Sequence, residues 1–202
     1  MENVEEIIRA AENGDAESQF LLGLMYQDGV GVEQDLEKAF QWHTKAAEQN
    51  KVESCFNLAM MYENGEGVEQ NQKKAIEWYV MAADLGLVDA MQNLGYKYSQ
   101  GDGVRKNNSK ALVWYKRAAD NGSIDALYNL GIMYHNGFGV ARDAETAWGY
   151  IEKAARQGHE RAMNAIWQHN PALGLRMASE QENFWEDVQA MIDEDNVDND
   201  EE

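Results

Sequence analysis

Apolar and small residues along this chain fall into two alternating patterns, and the pair of patterns recurs every 36 residues. In one, Ala126, Leu127, Leu130, Gly131 and Tyr134 follow the i, i+1, i+4, i+5, i+8 spacing of one helix face. In the other, Ala111, Trp114, Tyr115, Ala118 and Ala119 form an i, i+3, i+4, i+7, i+8 stripe. Shifting the chain against itself aligns Leu22, Leu58, Leu94 and Leu130, and likewise Tyr26, Tyr62, Tyr98 and Tyr134. Ala39, Ala75, Ala111 and Ala147 align, as do Trp42, Trp78 and Trp114, with Tyr150 in the fourth copy. Each unit is therefore predicted to be a helix pair, and a recurrence of this length marks a solenoid.

The polar residues punctuate the same frame. Gly29, Gly65, Gly101 and Gly137 sit where a left-handed helix C-cap is wanted, and a Gly-x-Gly-Val loop follows each first helix. Asp35, Asn71, Asn107 and Asp143 then stand as N-caps of the second helices. Gly86, Gly122 and Gly158 end those helices, with Asn50 in the first unit. The units run 15–50, 51–86, 87–122 and 123–158, with a partial fifth over 159–170. Residues 1–14 match the second helix of a preceding unit. The fold class is all-α: a right-handed α-solenoid of antiparallel helix pairs over 1–170, a C-terminal capping helix over 171–192 and a disordered acidic tail over 193–202.

The run Leu-Gly-x-x-Tyr-x-x-Gly-x-Gly-Val, then Asp or Asn, Lys-Ala, Trp-Tyr and Ala-Ala-x-x-Gly, resembles the Sel-1-like repeat family, relatives of the tetratricopeptide repeats. The resemblance covers about residues 1–170. It implies a right-handed helix-pair superhelix used as a protein-binding scaffold or adaptor. Secreted members of that family carry paired cysteines in each unit; this chain has the single Cys55.

Composition narrows the function classes. There are 17 basic against 36 acidic residues, a formal net charge of -19. Such a chain repels nucleic-acid phosphates and anionic lipid. It would draw a basic partner at long range, although the charge also serves solubility. One cysteine allows no internal disulfide and favours a reducing compartment. The acidic N-terminus has no signal-peptide pattern, and no apolar run approaches a membrane span. A cytoplasmic protein is expected.

Catalytic chemistry has no foothold in the pattern. His43, His135, His159 and His169 form no zinc-type pair. His43 takes the slot of Tyr79 and Tyr115, and Cys55 that of Met91 and Leu127, so both are expected in the core. The Gly-x-Gly loops lack the context of a phosphate cradle. No metal, cofactor, small-molecule substrate or enzymatic activity is expected.

The helix face opposite the first core stripe holds Asp125, Tyr128, Asn129, Ile132, His135 and Asn136. By resemblance to tetratricopeptide arrays it lines the concave groove. Across the repeats it gives an apolar stripe of Phe20, Leu24, Phe56, Met60, Tyr96, Tyr128 and Ile132. Beside it run an amide stripe of Asn57, Asn93 and Asn129 and an acidic row of Glu17, Glu53, Asp89 and Asp125. Exposed apolar patches mark interaction surfaces, and asparagine offers donor and acceptor to a peptide backbone. The apolar and amide stripes are the candidate site for another protein or peptide, with a basic one favoured. The alternative is that Phe20 and Phe56 pack between neighbouring helices. An inhibitor or immunity protein that neutralises a basic toxin or enzyme is the second functional class.

In the C-terminal segment, Ser179-Glu-Gln-Glu182 is patterned as a capping box, followed by Phe184, Val188 and Ile192 on one face. The open end of a solenoid needs such a cap. Docking of this helix or its tail on a partner is the alternative.

Overall fold

A computed structural model describes residues 4–180. Among the described residues every regular element is a helix. These are α1 (Val4–Glu12), α2 (Ala16–Asp28), α3 (Leu36–Glu48), α4 (Val52–Asn64), α5 (Gln72–Asp84), α6 (Val88–Gln100), α7 (Asn108–Asp120), α8 (Ile124–Asn136), α9 (Ala144–Arg156) and α10 (Glu160–His169). A further helical segment spans 171–180. Consecutive helices pack on one another in a single progression, α2 on α3, α4 on α5, α6 on α7 and α8 on α9, with each pair leaning on the next. No helix among the described residues is long and apolar enough to cross a membrane.

The caps set this register. Gly29, Gly65, Gly101 and Gly137 all adopt left-handed backbone and donate to the carbonyl four residues back. Asp35, Asn71, Asn107 and Asp143 each accept the N–H three residues on, at 3.0–3.1 Å, satisfying an otherwise orphaned donor. The lysine at that position in the first three units also lies over the preceding first-helix tyrosine: Lys38 over Tyr26, Lys74 over Tyr62 and Lys110 over Tyr98, at 5.0–5.2 Å. One residue thus serves cap and cation–π contact together.

Close approach explains the small positions. A Cβ on Gly95 would lie 2.6 Å from the Tyr115 ring, so the ring occupies the space a side chain would need. Gly67, at φ 65°, presses on the start of α3, where a Cβ would lie 2.0 Å from the Leu36 carbonyl oxygen. The Gly-x-Gly loop is therefore a contact between successive repeats as well as a turn. The interior is a run of alanines with Leu58, Leu94, Tyr79 and Tyr115 among its large members. Burying a leucine such as Leu94 stabilises by roughly 2 kcal/mol.

Repeat regularity ends after α10. Asn170 takes the place of the Gly-x-Gly-Val loop, and its Oδ1 accepts the Leu173 N–H at 3.1 Å. Pro171 opens the next helical segment at the position where its missing N–H costs nothing. Leu173 and Met177 then cover Leu127, Ile151, Ala162 and Ile166. The helical run is already under way before Ser179, whose Oγ donates to the Arg176 carbonyl at 2.9 Å; the rest of the Ser179-Glu-Gln-Glu182 pattern lies outside the described residues. Phe184, Val188 and Ile192, and the tail 193–202, lie outside the described residues.

Candidate concave-groove interface

The first helices α2, α4, α6, α8 and α10 form one face of the array, and the candidate residues divide along it. Asn93, Tyr96, Tyr128, Asn129 and Ile132 converge on a single open groove of about 940 Å³ between α6, α8 and the start of α10. Tyr96 is 57% exposed there, and Phe138 from the loop after α8 adds a second exposed ring at 48%. Gln92, Ser99 and His159 contribute polar edges. Phe20, Leu24, Phe56, Asn57 and Met60 lie on α2 and α4, outside that groove. Phe56 and Met60 are half-buried against the core. The Phe56 ring meets Tyr79 edge-on at 5.5 Å, and the Phe20 ring lies 5.9 Å from His43.

The first member of the amide stripe is engaged from behind. Asn57 Nδ2 lies 3.4 Å from His43 Nε2, and His43 Nδ1 lies 3.4 Å from Ser54 Oγ. Burial holds His43 neutral, with its pKa lowered to about 4. Where His43 gives way to Tyr79 and Tyr115, the Ser54 position becomes Ala90 and Ala126. The hydroxyl and the imidazole are thus one polar pair set into an otherwise apolar slot.

Between α4 and α6 lies an ion network around one buried lysine. Lys97 stands where the other units have Met25, Met61 and Met133, and is only 4% exposed. Its Nζ reaches Glu63 Oε1 at 2.6 Å and Asp102 Oδ2 at 3.0 Å. Tyr79 donates its hydroxyl to Glu63 Oε2 at 2.8 Å. Burial acts to lower the Lys97 pKa, but the hydrogen bonds to Glu63 and Asp102 outweigh it and hold the ammonium above its ordinary value. Burial, then the bond to Glu63, pushes the Tyr79 hydroxyl upward. The network keeps one lysine charged in the interior, as a buried ion requires.

Two of the four carboxylates in the acidic row share one lysine. Lys51 bridges Glu17 at 2.5 Å and Glu53 at 3.1 Å. Asp125 faces His159 Nε2 at 3.2 Å, while His159 stacks on Tyr128 at 4.6 Å and caps α10 through Nδ1. Its fifth-copy equivalent is Arg161, which with Lys106 brings positive charge to the groove edge. Sequence reasoning missed His159 and Phe138 as groove residues; the signal available was their register, an N-cap and a loop position brought against the face by the turn before them. No group of three histidine, cysteine or acidic side chains among the described residues could hold a metal ion.

The model of the Sel1 repeat matches residues 16–51, 52–87, 88–123 and 124–159, well over half of the chain and one residue out of step with the units read from the glycines. The chain belongs to the Sel1-repeat family. Sel1-repeat proteins mediate protein–protein interactions and are generally non-catalytic scaffolds. A protective antigen of uropathogenic Escherichia coli with this fold is 33% identical, with a TM-score of 0.80 over 91% of this chain and 41% of that one. A Sel1 repeat protein from Oxalobacter formigenes is 36% identical, with a TM-score of 0.73 over 82% of this chain and 48% of that one. This Sel1 chain therefore spans less than half the length of either. An immunity protein of Pseudomonas aeruginosa, 22% identical with a TM-score of 0.52 over 93% of this chain and 73% of that one, shares the fold alone. No curated protein matches the chain.

Proposed function

We propose that this Sel1-repeat chain is a non-enzymatic scaffold or adaptor that holds a segment of a partner protein in its concave groove, and that it works in a reducing, cytoplasmic setting. The observation that carries the proposal is the gathering of Asn93, Tyr96, Tyr128, Asn129 and Ile132 around one open groove of about 940 Å³. Exposed tyrosines supply contact area at small conformational cost, and the amides supply hydrogen bonds to an extended backbone. The α2 and α4 residues lie outside the groove and act chiefly in packing the repeats beside it.

The test is affinity capture with the wild type, with Tyr96→Ala/Asn129→Ala and with Val113→Ser on α7. One partner should be retained in stoichiometric amount by the wild type and by Val113→Ser, and lost by the groove pair. Retention by all three would defeat the groove assignment.

Neutralisation of a basic toxin or enzyme is the second functional class, motivated by the -19 charge. Among the described residues the negative charge lies toward the N-terminal half. Residues 1–100 carry 18 acidic against 7 basic side chains, and 101–180 carry 8 against 10. An inhibitor of this kind would engage the α1–α5 flank, and its association would slow steeply with salt.

A further inference from the structure

We propose that the start of α7 and the loop before it form a second docking surface, which takes an acidic segment of a partner protein carrying an apolar anchor side chain. The surface is separate from the concave groove, so Val113→Ser, which alters it, leaves capture by the groove intact.

One repeat departs from the charge pattern of the rest. Residues 105–117 hold five cations and no carboxylate. The corresponding stretches of the other units, 33–45, 69–81 and 141–153, each hold two cations and two or three carboxylates. Arg105 stands where the other units have Glu33, Glu69 and Ala141, and Ser109 where they have Glu37, Lys73 and Glu145. Val113 is 57% exposed at a position filled elsewhere by Gln41, Glu77 and Gly149. The repeat fold requires none of these changes, since the other three units form the same helices without them.

The substituted residues lie together. Two open depressions adjoin here and share Tyr98, Asn107 and Lys110. One, of about 490 Å³, adds Arg105 and Lys106. The other, of about 410 Å³, adds Val113 and Trp114. Cations therefore border an apolar strip of Tyr98, Val113 and Trp114. In the first unit Lys38 pairs with the cap Asp35 at 3.0 Å. In the third the cap is the uncharged Asn107, and Lys110 lies over the Tyr98 ring at 5.0 Å. Asp102 is held by Lys97 at 3.0 Å, and Asp84 by Arg117 at 2.9 Å. Arg105, Lys106 and Lys110 have no carboxylate partner among the described residues.

Three unpaired cations beside exposed apolar side chains complement a segment of opposite charge with an apolar anchor. The segment is short. Glu69 and Glu77 in the unit before, and Glu145 and Glu152 in the unit after, repel a long polyanion such as nucleic acid beyond the patch.

Selection of a random-sequence peptide library, displayed on phage, with the full chain tests this. Peptides with aspartate and glutamate around a leucine, phenylalanine or tryptophan should be enriched. Their affinity should fall by at least about tenfold in Arg105→Glu, the residue of the first two units, and by about threefold in the uncharged Val113→Ser. Both positions are exposed, so the fold should be kept. Lys45→Glu on α3, an equal change of charge two repeats away, should alter the affinity by less than about twofold. Absence of an acidic class among the selected peptides would overturn the proposal, as would equal losses in Arg105→Glu and Lys45→Glu. Self-association lost in Arg105→Glu, without such peptides, would give the surface to a second copy instead. Acidic peptides lost in Tyr96→Ala/Asn129→Ala but kept in Arg105→Glu would also overturn it, and place them in the groove.

Discussion

The two ends of one helix face are built to different purposes. On α2 and α4 the aromatic residues lean on the second helices behind them, Phe56 on Tyr79 and Phe20 toward His43, and the carboxylates share Lys51. On α6, α8 and α10 the equivalent positions open into a groove, with Tyr96 and Phe138 exposed. The same repeat template yields both, because a few substitutions decide whether a side chain is braced or free. Met60 in the second unit becomes Tyr96 in the third, and Phe56 becomes Gln92. A repeat scaffold fixes position, and the variable residues on it fix use.

The sharpest way to break the contrast is at its junction. Lys97→Ala removes the cation that Glu63 and Asp102 share and leaves a gap at a buried position, and should cost about 2 kcal/mol in denaturant unfolding. Lys97→Met with Glu63→Gln, which restores the side chains of other units at both positions, should recover most of that loss. Unchanged stability in Lys97→Ala would mean that the network does not hold the halves together.

A pH titration sharpens the braced half. His43 is neutral when folded, its pKa lowered to about 4 from the ordinary 6.5. The unfolded chain takes up a proton in that interval and the folded one does not. The stabilisation is thus complete above pH 6.5 and is lost as pH falls toward 4, by roughly 2–3 kcal/mol. His43→Tyr/Ser54→Ala, the pairing that later units use, should flatten this part of the stability profile. An unaltered profile would assign the pH dependence to other groups.

Smaller effects separate binding from folding. Phe56→Ala should cost about 2 kcal/mol of stability, since a half-buried ring leaves a gap against Tyr79. Tyr96→Ala should change stability by no more than about 0.5 kcal/mol, while weakening partner binding by at least about tenfold. The reverse assignment of effects would exchange the roles of the two halves. Lys51→Ala should cost less than about 1 kcal/mol, as its ion pairs face solvent, and should free the Glu17–Glu53 row to attract cations.

Much of the fold could be read along the chain because its determinants are local. The cap residues Asp35, Asn71, Asn107 and Asp143 act on N–H groups three positions away, and the left-handed glycines act on their own backbone. The groove was legible only in part. Tyr96, Asn129 and Ile132 follow from helical phase, but whether Phe56 or Met60 is free depends on which second-helix side chain stands behind it. Lys51 neutralises Glu17 from 34 positions away, a pairing that no helical wheel contains. His159 joins the groove through a turn, not through a stripe.

Hydrogen exchange of the chain with and without its captured partner tests the central claim most directly. New protection should appear on α6, α8 and the first turn of α10, with α3 and α5 unchanged. Protection confined to the second helices, or to α2 and α4, would contradict the account and place the interface on another face of the solenoid.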